Sequence, residues 1–193
     1  VGDDNALTTW LTAGARSILN ILPIDKVARI AGKDDFTSAI DVEGKKIISV
    51  LRKDEGNSDK RMPCRLLPPS MMGRVDDSSY MEAATASDPA YIIFNNELNT
   101  FPASAASNDS RLIAIDTSIT VAHGDGSSGI NNFPDEAEDA VVLYAARQAV
   151  ERKISDANVD EDVELVQGLT AQYQVLDSQY KEQIQLLIGG GKK

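Results

Sequence analysis

Phe133-Pro134-Asp135-Glu136-Ala137-Glu138-Asp139-Ala140-Val141-Val142-Leu143-Tyr144-Ala145-Ala146 is the stretch whose reading decides the fold. Proline at a first helical position lacks only an N–H that no helix start uses, and the carboxylates after it sit where the helix dipole is positive. The pattern predicts a helix over 134–155, with Arg147, Arg152 and Lys153 toward its negative end. Its centre, Ala140 to Ala146, is apolar on most faces, so such a helix must be covered on more than one side. These seven residues are the longest unbroken apolar run in the chain, far short of a membrane span.

Downstream, a short loop around Ala157-Asn158 leads into a second long helix over 160–188. Val166, Leu169, Tyr173, Leu176, Tyr180 and Leu187 follow heptad spacing, with Gln183 in the polar slot and Ile184 beside it. A short connection makes two long helices antiparallel neighbours. Gly189, Gly190, Gly191, Lys192 and Lys193 then read as a mobile tail. Upstream, Leu7, Trp10, Leu11, Ala15, Ile18 and Leu22 form one apolar stripe of a helix over 5–22, capped by Asp4 or Asn5 and stopped by Pro23. A shorter helix follows over 25–31, closed by Gly32.

Between the helical segments the period becomes alternating. Phe36, Ser38, Ile40 and Val42 point one way along a strand, Glu43-Gly44 turns the chain, and Lys45 to Arg52 returns as the second arm of a hairpin. Asp54 to Lys60 reads as a polar loop, and Pro63, Pro68 and Pro69 exclude a central strand. Tyr91 to Phe94, Asn95-Asn96 and Glu97 to Phe101 form a second hairpin pattern. Arg111 to Val121 supplies a further strand or two. The expected fold is α+β. An N-terminal helix packs with a long antiparallel C-terminal helical hairpin, and a small antiparallel β region is inserted between them. The expected segments are 1–33, 34–122 and 123–193, the first and last forming one structural unit.

Hydrophobic residues make up 42% of the 193 and charged residues 25%, which excludes wholesale disorder. A formal charge of −11 repels phosphate backbones and anionic lipid heads, so neither a nucleic-acid binder nor a membrane-surface binder is expected. Between Pro134 and Glu164 ten acidic residues face three basic ones, so this stretch carries −7 of the −11. Val1-Gly2-Asp3-Asp4 lacks the basic start and apolar core of a signal peptide. One cysteine and one histidine leave little for a disulfide, thiol chemistry or zinc, so no cofactor and no metal are expected in what reads as a soluble, intracellular protein.

The motifs with catalytic overtones have plainer readings. Gly124-Asp125-Gly126-Ser127-Ser128-Gly129 matches a dinucleotide fingerprint, but Pro134 starts the helix several residues too late and no parallel βαβ unit follows, so it reads as a surface loop. His123 beside Asp125 finds no nucleophile to complete a constellation, and Cys64 between Pro63 and Arg65 reads as a semi-buried small side chain. The carboxylates of Asp135, Glu136, Glu138 and Asp139 complement the helix dipole. The basic group Lys45-Lys46, Arg52-Lys53 and Lys60-Arg61 reads as edge-strand protection or as a positive docking patch.

Two blocks resemble a known group of proteins. Trp10-Leu11-Thr12-Ala13-Gly14-Ala15-Arg16-Ser17-Ile18-Leu19-Asn20-Ile21-Leu22-Pro23 resembles the opening helix of small virion proteins of tailed bacteriophages. Asn132 to Ala146 resembles the start of the C-terminal helical part of the head-to-tail connector proteins, also called adaptor or neck proteins. The resemblance implies a non-enzymatic structural subunit of the virion neck, made in the host cytoplasm. It implies a homo-oligomeric ring, commonly of about twelve copies, that joins the portal protein to tail or neck proteins while DNA passes through without specific binding. Asp135, Glu136, Glu138, Asp139, Asp160, Glu161 and Asp162 are then the expected channel-facing acidic residues, and the tail Gly189, Gly190, Gly191, Lys192 and Lys193 is expected to dock on an adjacent ring once ordered. A tail-completion or tail-terminator protein is an alternative within virions. A small hydrolase or nucleotide-binding enzyme using the 123–129 loop, and a cytosolic helical-hairpin interaction module, are alternatives of other classes.

Overall fold

A computed structural model of the chain describes residues 4–54, 57–103, 109–121 and 130–189. The chain divides into two compact units, Val1–Ile30 with Thr117–Lys193, and Ala31–Asp116. The first is helical and the second is built of strands, so the protein is α+β.

The helical unit starts with α1, Asp4–Ile21, which buries Gly14, Ala15, Ile18 and Leu19 on one face. Pro23 precedes a single turn, α2 (Ile24–Val27), which tightens into a 3-10 turn over Ala28–Ile30. The helix expected over 134–155 opens instead with a 3-10 turn, Asp135–Ala137, and continues as α3, Glu138–Val159. After the turn at 160–162, where Glu161 takes a positive φ of 56°, α4 runs over Val163–Gly189. Asp162 Oδ1 accepts from Leu165 N–H at 3.1 Å, capping α4 at its start.

α3 packs against both α1 and α4. It meets them with small residues, burying Ala140, Val141, Ala145, Val150 and Ala157. The two long helices are antiparallel. Tyr144 stacks edge-on against Tyr180 with ring centres 6.0 Å apart, and Arg147, one turn further along α3, meets Tyr173, nearly two turns back along α4. Cover is incomplete, however, because Val142 in the apolar run stays 59% exposed.

The strands expected across 111–121 end early. The last strand, β8 (Ser110–Asp116), stops at Asp116, and the following segment is held by α1 rather than by a sheet. Thr12 Oγ1 bonds both Val121 N–H (3.0 Å) and Val121 C=O (3.2 Å), while Arg16 donates to the carbonyls of Ile119 (3.0 Å) and Ser118 (3.3 Å). Side chains one turn apart on a helix thus take over the backbone bonds that a neighbouring strand would have made.

The β unit has two four-stranded sheets. One orders β1 (Gly32–Phe36), β8 (Ser110–Asp116), β3 (Lys45–Asp54) and β4 (Asn57–Pro63), all antiparallel. The other orders β2 (Ala39–Asp41), β7 (Glu97–Phe101), β6 (Ala90–Phe94) and β5 (Arg65–Leu67). The β5–β6 pair is parallel, so the expected wholly antiparallel region is in fact mixed.

The hairpin expected over 36–52 does not form. Gly44 turns the chain with φ 66°, and Lys45 N–H donates to Val42 C=O at 3.1 Å. The arms then join different sheets, β2 pairing with β7 and β3 with β8 and β4. The run itself bends at Thr37-Ser38, so an end strand of one sheet continues as an end strand of the other; the same happens at Cys64 between β4 and β5. The first corner is pinned by buried hydroxyls. Thr100 and Ser110 lie 2.8 Å apart and reach the carbonyls of Ser38 (3.3 Å) and Thr37 (3.1 Å). Part of the expected loop over 54–60 is strand, since β4 begins at Asn57 on the sheet edge, where Pro63 is tolerated. The Asn95-Asn96 hairpin forms as read, with φ of 51° and 61° suited to asparagine. Phe36, Val42, Val50, Leu98, Leu112 and Ala114 make the core between the sheets.

Gly14 sets how closely α1 and α3 approach. A Cβ there would stand 2.8 Å from Tyr144 Cδ1 and 3.1 Å from Tyr144 Cβ and Cγ. Those atoms lie at the root of a ring already stacked on α4, so the neighbour cannot simply swing away. Overpacking of this kind costs about 1–3 kcal/mol, against about 1 kcal/mol regained from the better helix propensity of alanine. Gly14→Ala is therefore expected to lower the thermal midpoint of the helical unit, followed by circular dichroism. A raised midpoint would show that the two helices separate at no cost.

Candidate interaction surfaces

The acidic residues singled out from sequence occupy two places. Asp135 and Glu136 lie in the 3-10 turn, and Glu138 and Asp139 form the first turn of α3. Asp160, Glu161 and Asp162 lie in the turn beyond its other end. A helix of 22 residues is about 33 Å long, several times the ~8 Å screening length at physiological salt. The −7 stretch is therefore one cluster in sequence and two separate clusters in space.

Within the clusters, some carboxylates are committed to the chain itself. Glu136 Oε1 accepts from Arg29 Nη2 at 2.9 Å across a small cleft of about 170 Å³ that Phe133 and Pro134 also line. Glu138 Oε1 accepts from Ile130 N–H at 2.6 Å, and Asp162 caps α4. Asp135, Asp139, Asp160 and Glu161 are exposed.

Sequence reading placed Arg147 only as a charge toward a helix end. It lies instead in the seam between α3 and α4, its guanidinium 4.7 Å from the centre of the Tyr180 ring and 5.6 Å from that of Tyr173. Nη2 donates to Tyr173 Oη at 3.2 Å and pairs with Asp177 at 2.8 Å, and Lys181 closes on Asp177 at 2.7 Å. The hydrogen bond from Lys181, with the Arg147 charge behind it, holds the Asp177 carboxyl below its ordinary pKa. The signal was present as Tyr173, Asp177 and Tyr180, three and four residues apart on one face of α4.

Of the basic group, Lys45, Lys46, Arg52 and Lys53 lie on β3, inside its sheet, and protect no edge, whereas Lys60 and Arg61 lie on the end strand β4. The group is not an open positive patch. Lys45 pairs with Asp34, Lys53 with Asp109 at 3.5 Å, and Arg61 with Asp35 at 3.6 Å. Arg52 is buried. Arg111, across the same sheet, bonds Asp35 through two nitrogens at 2.6 and 2.8 Å. These bonds hold the Asp35 carboxyl below its usual pKa. In the same unit, Ala39–Asp41, Glu43 and Asn95–Glu97 line a shallow cleft of about 490 Å³ that carries three carboxylates and no cationic side chain.

Cys64, at the β4–β5 corner, is half-buried, and burial pushes its thiol up to about 12. His123, Asp125 and the glycine pattern over 124–129 lie outside the described residues, as do Gly190, Gly191, Lys192 and Lys193; Gly189 is the last residue of α4. Among the described residues no group of three or more His, Cys, Asp or Glu could hold a metal ion, and no helix is long and apolar enough to cross a membrane. The chain matches no protein-family model and no curated protein.

Two predictions follow from these environments. Raising a thiol from 9.0 to about 12 lowers its thiolate fraction at pH 8 on the order of a thousandfold. Folded Cys64 should therefore alkylate with iodoacetamide far more slowly than the urea-unfolded chain, and equal rates would refute the buried placement. Asp35, ionised more readily folded than unfolded, supports the β unit above about pH 4, and that support is lost as pH falls through its lowered folded value. Asp35→Asn should flatten the acid limb of the stability curve, measured by urea melts between pH 7 and 3.

Proposed function

We propose that this chain is a non-enzymatic structural subunit of a tailed-bacteriophage virion, an adaptor or neck ring that joins the portal to the tail around the DNA channel. The observation that carries the reading is the contact of Gly14 with Tyr144. Gly14 belongs to the first block that resembles connector proteins and Tyr144 to the second, and the two blocks are packing partners in one helical unit. Segments far apart in sequence that resemble the same group and pack together support a shared architecture better than either block alone.

In this reading the N-terminal helix and the C-terminal hairpin form the body of the subunit, and the β insertion makes ring, portal or tail contacts. Ring closure covers apolar surface that one copy leaves bare, Val142 on α3 among it. The exposed carboxylates Asp135, Asp139, Asp160 and Glu161, repeated around a ring, repel the phosphates of passing DNA and keep the contact weak.

The decisive measurement is native mass spectrometry of the purified chain, alone and with DNA-filled heads that carry a portal but no neck. A closed ring that binds the portal end is expected. A strict monomer that ignores the heads overturns the reading. Changing the four exposed carboxylates to lysine should slow DNA ejection from reconstituted particles. Unchanged ejection would remove the channel role while leaving the ring in place.

A further inference from the structure

α4 carries two heptad seams, and the hairpin uses one. Tyr173, Asp177 and Tyr180 meet α3 through Arg147, and Leu187 is buried. On the other side, Leu165, Gly168, Gln172, Val175, Gln179 and Leu186 repeat at alternating three- and four-residue steps, a Glu182 interrupting, and every one of them is exposed. Leu165, Val175 and Leu186 are 49%, 58% and 55% exposed, large aliphatic side chains aligned along about 32 Å of helix.

Gly168 sharpens the point. Glycine is a poorer helix former than alanine, so one inside a long helix needs a reason. Gly14 has one, because Tyr144 occupies the space its Cβ would need. At Gly168 nothing lies within 4 Å of a built Cβ. The space it opens on the outer seam is vacant within a single chain and suits close approach of another helix.

Charge selects the partner. The helical unit has sixteen acidic and nine basic residues in its sequence, so identical copies repel one another across most of it. α4 carries only four charged residues in 27, against six glutamines, and of its outer seam only Glu182 is charged. A nucleic acid, an anionic membrane or a basic partner finds no matching charge there, whereas another copy meets its least repulsive approach. The neighbour's matching surface is the outer line of α3, where Val142 is exposed, Ala146 and Ala149 are half-buried, and Lys153 is exposed at the same helical spacing. A seam of α4 meeting a line of α3 is a contact between two different patches, which propagates head-to-tail and closes as a ring when the rotation from copy to copy completes a full turn.

We propose that the outer seam of α4 in one copy packs on the Val142–Ala149 line of α3 in the next. This deepens the assembly reading above and rests on it. A strip about 32 Å by about 10 Å covers on the order of 300 Å², well under the ~800 Å² per partner of a standard interface. A lone pair is therefore weak, and a closed ring, in which each copy makes the contact twice, is what holds.

The test uses the full chain and sedimentation velocity. Val175→Lys and Val142→Lys, both at exposed positions, should leave the thermal midpoint unchanged and weaken assembly at least tenfold. Gly168→Ala should raise the midpoint of the dissociated chain yet weaken assembly, a combination a purely structural glycine would not give. Mixing Val175→Lys with Val142→Lys should give a weak one-to-one dimer that grows in only as concentration rises, and nothing larger, because each retains the patch the other lacks. If the wild type assembles and these variants assemble equally well, the proposal is overturned and the ring reading stands on another surface. If the wild type neither assembles nor binds heads, the ring reading falls and takes the proposal with it.

Discussion

Everything in the helical unit depends on how close α1 can come to α3, and that distance is set by a missing side chain. With hydrogen at Gly14, the Tyr144 ring lies directly against α1 while its other side meets Tyr180 on α4. One aromatic side chain is thereby held by both neighbours of α3. One turn further along, Arg147 ties α3 to α4 through two rings and a carboxylate. Its aliphatic stem and planar head suit a seam that is neither fully dry nor fully wet. These specific contacts join the three helices beside the fully buried side chains of Ile18, Leu19 and Val141.

The β unit solves a different problem. Small sheets have exposed ends, and open ends invite pairing with other chains. Here all four end strands belong to two bent pieces of chain, β1 running into β2 and β4 into β5, so each piece passes from one sheet to the other. Such a corner interrupts the ladder and leaves carbonyls facing inward. The buried hydroxyls of Thr100 and Ser110 meet those of Thr37 and Ser38. A buried pair of hydroxyls is tolerated there because both have partners.

Legibility followed the range of the forces involved. The Asn95-Asn96 hairpin was readable because asparagine tolerates a positive φ within the turn itself. α1, α3 and α4 were readable because apolar spacing repeats within each segment. The bend at Thr37-Ser38 was not, since it exists only because Phe36 pairs with Ser110 while Ala39 pairs with Asn99, partners sixty or more residues away. The strand character of 57–60 was hidden under polar side chains, because an edge position needs no apolar face. Arg147 was misread for the opposite reason: its helix was right, but its partners come from α4.

The sequence alone determined the succession of helical, alternating and again helical segments, the antiparallel return of α4, and the acidic balance of the chain. Those follow from propensity, period and composition, all properties of residues near one another along the chain. The tertiary structure alone decided which charges are spent and which are displayed. It separated one acidic run into two clusters, because a helix of 22 residues carries its ends about 33 Å apart. It paired Lys45 and Lys53 of β3 with Asp34 and Asp109, and Arg61 of β4 with Asp35. It also left one seam of α4 covered and the other bare, a distinction that depends on what packs beside the helix and not on the residues that make it.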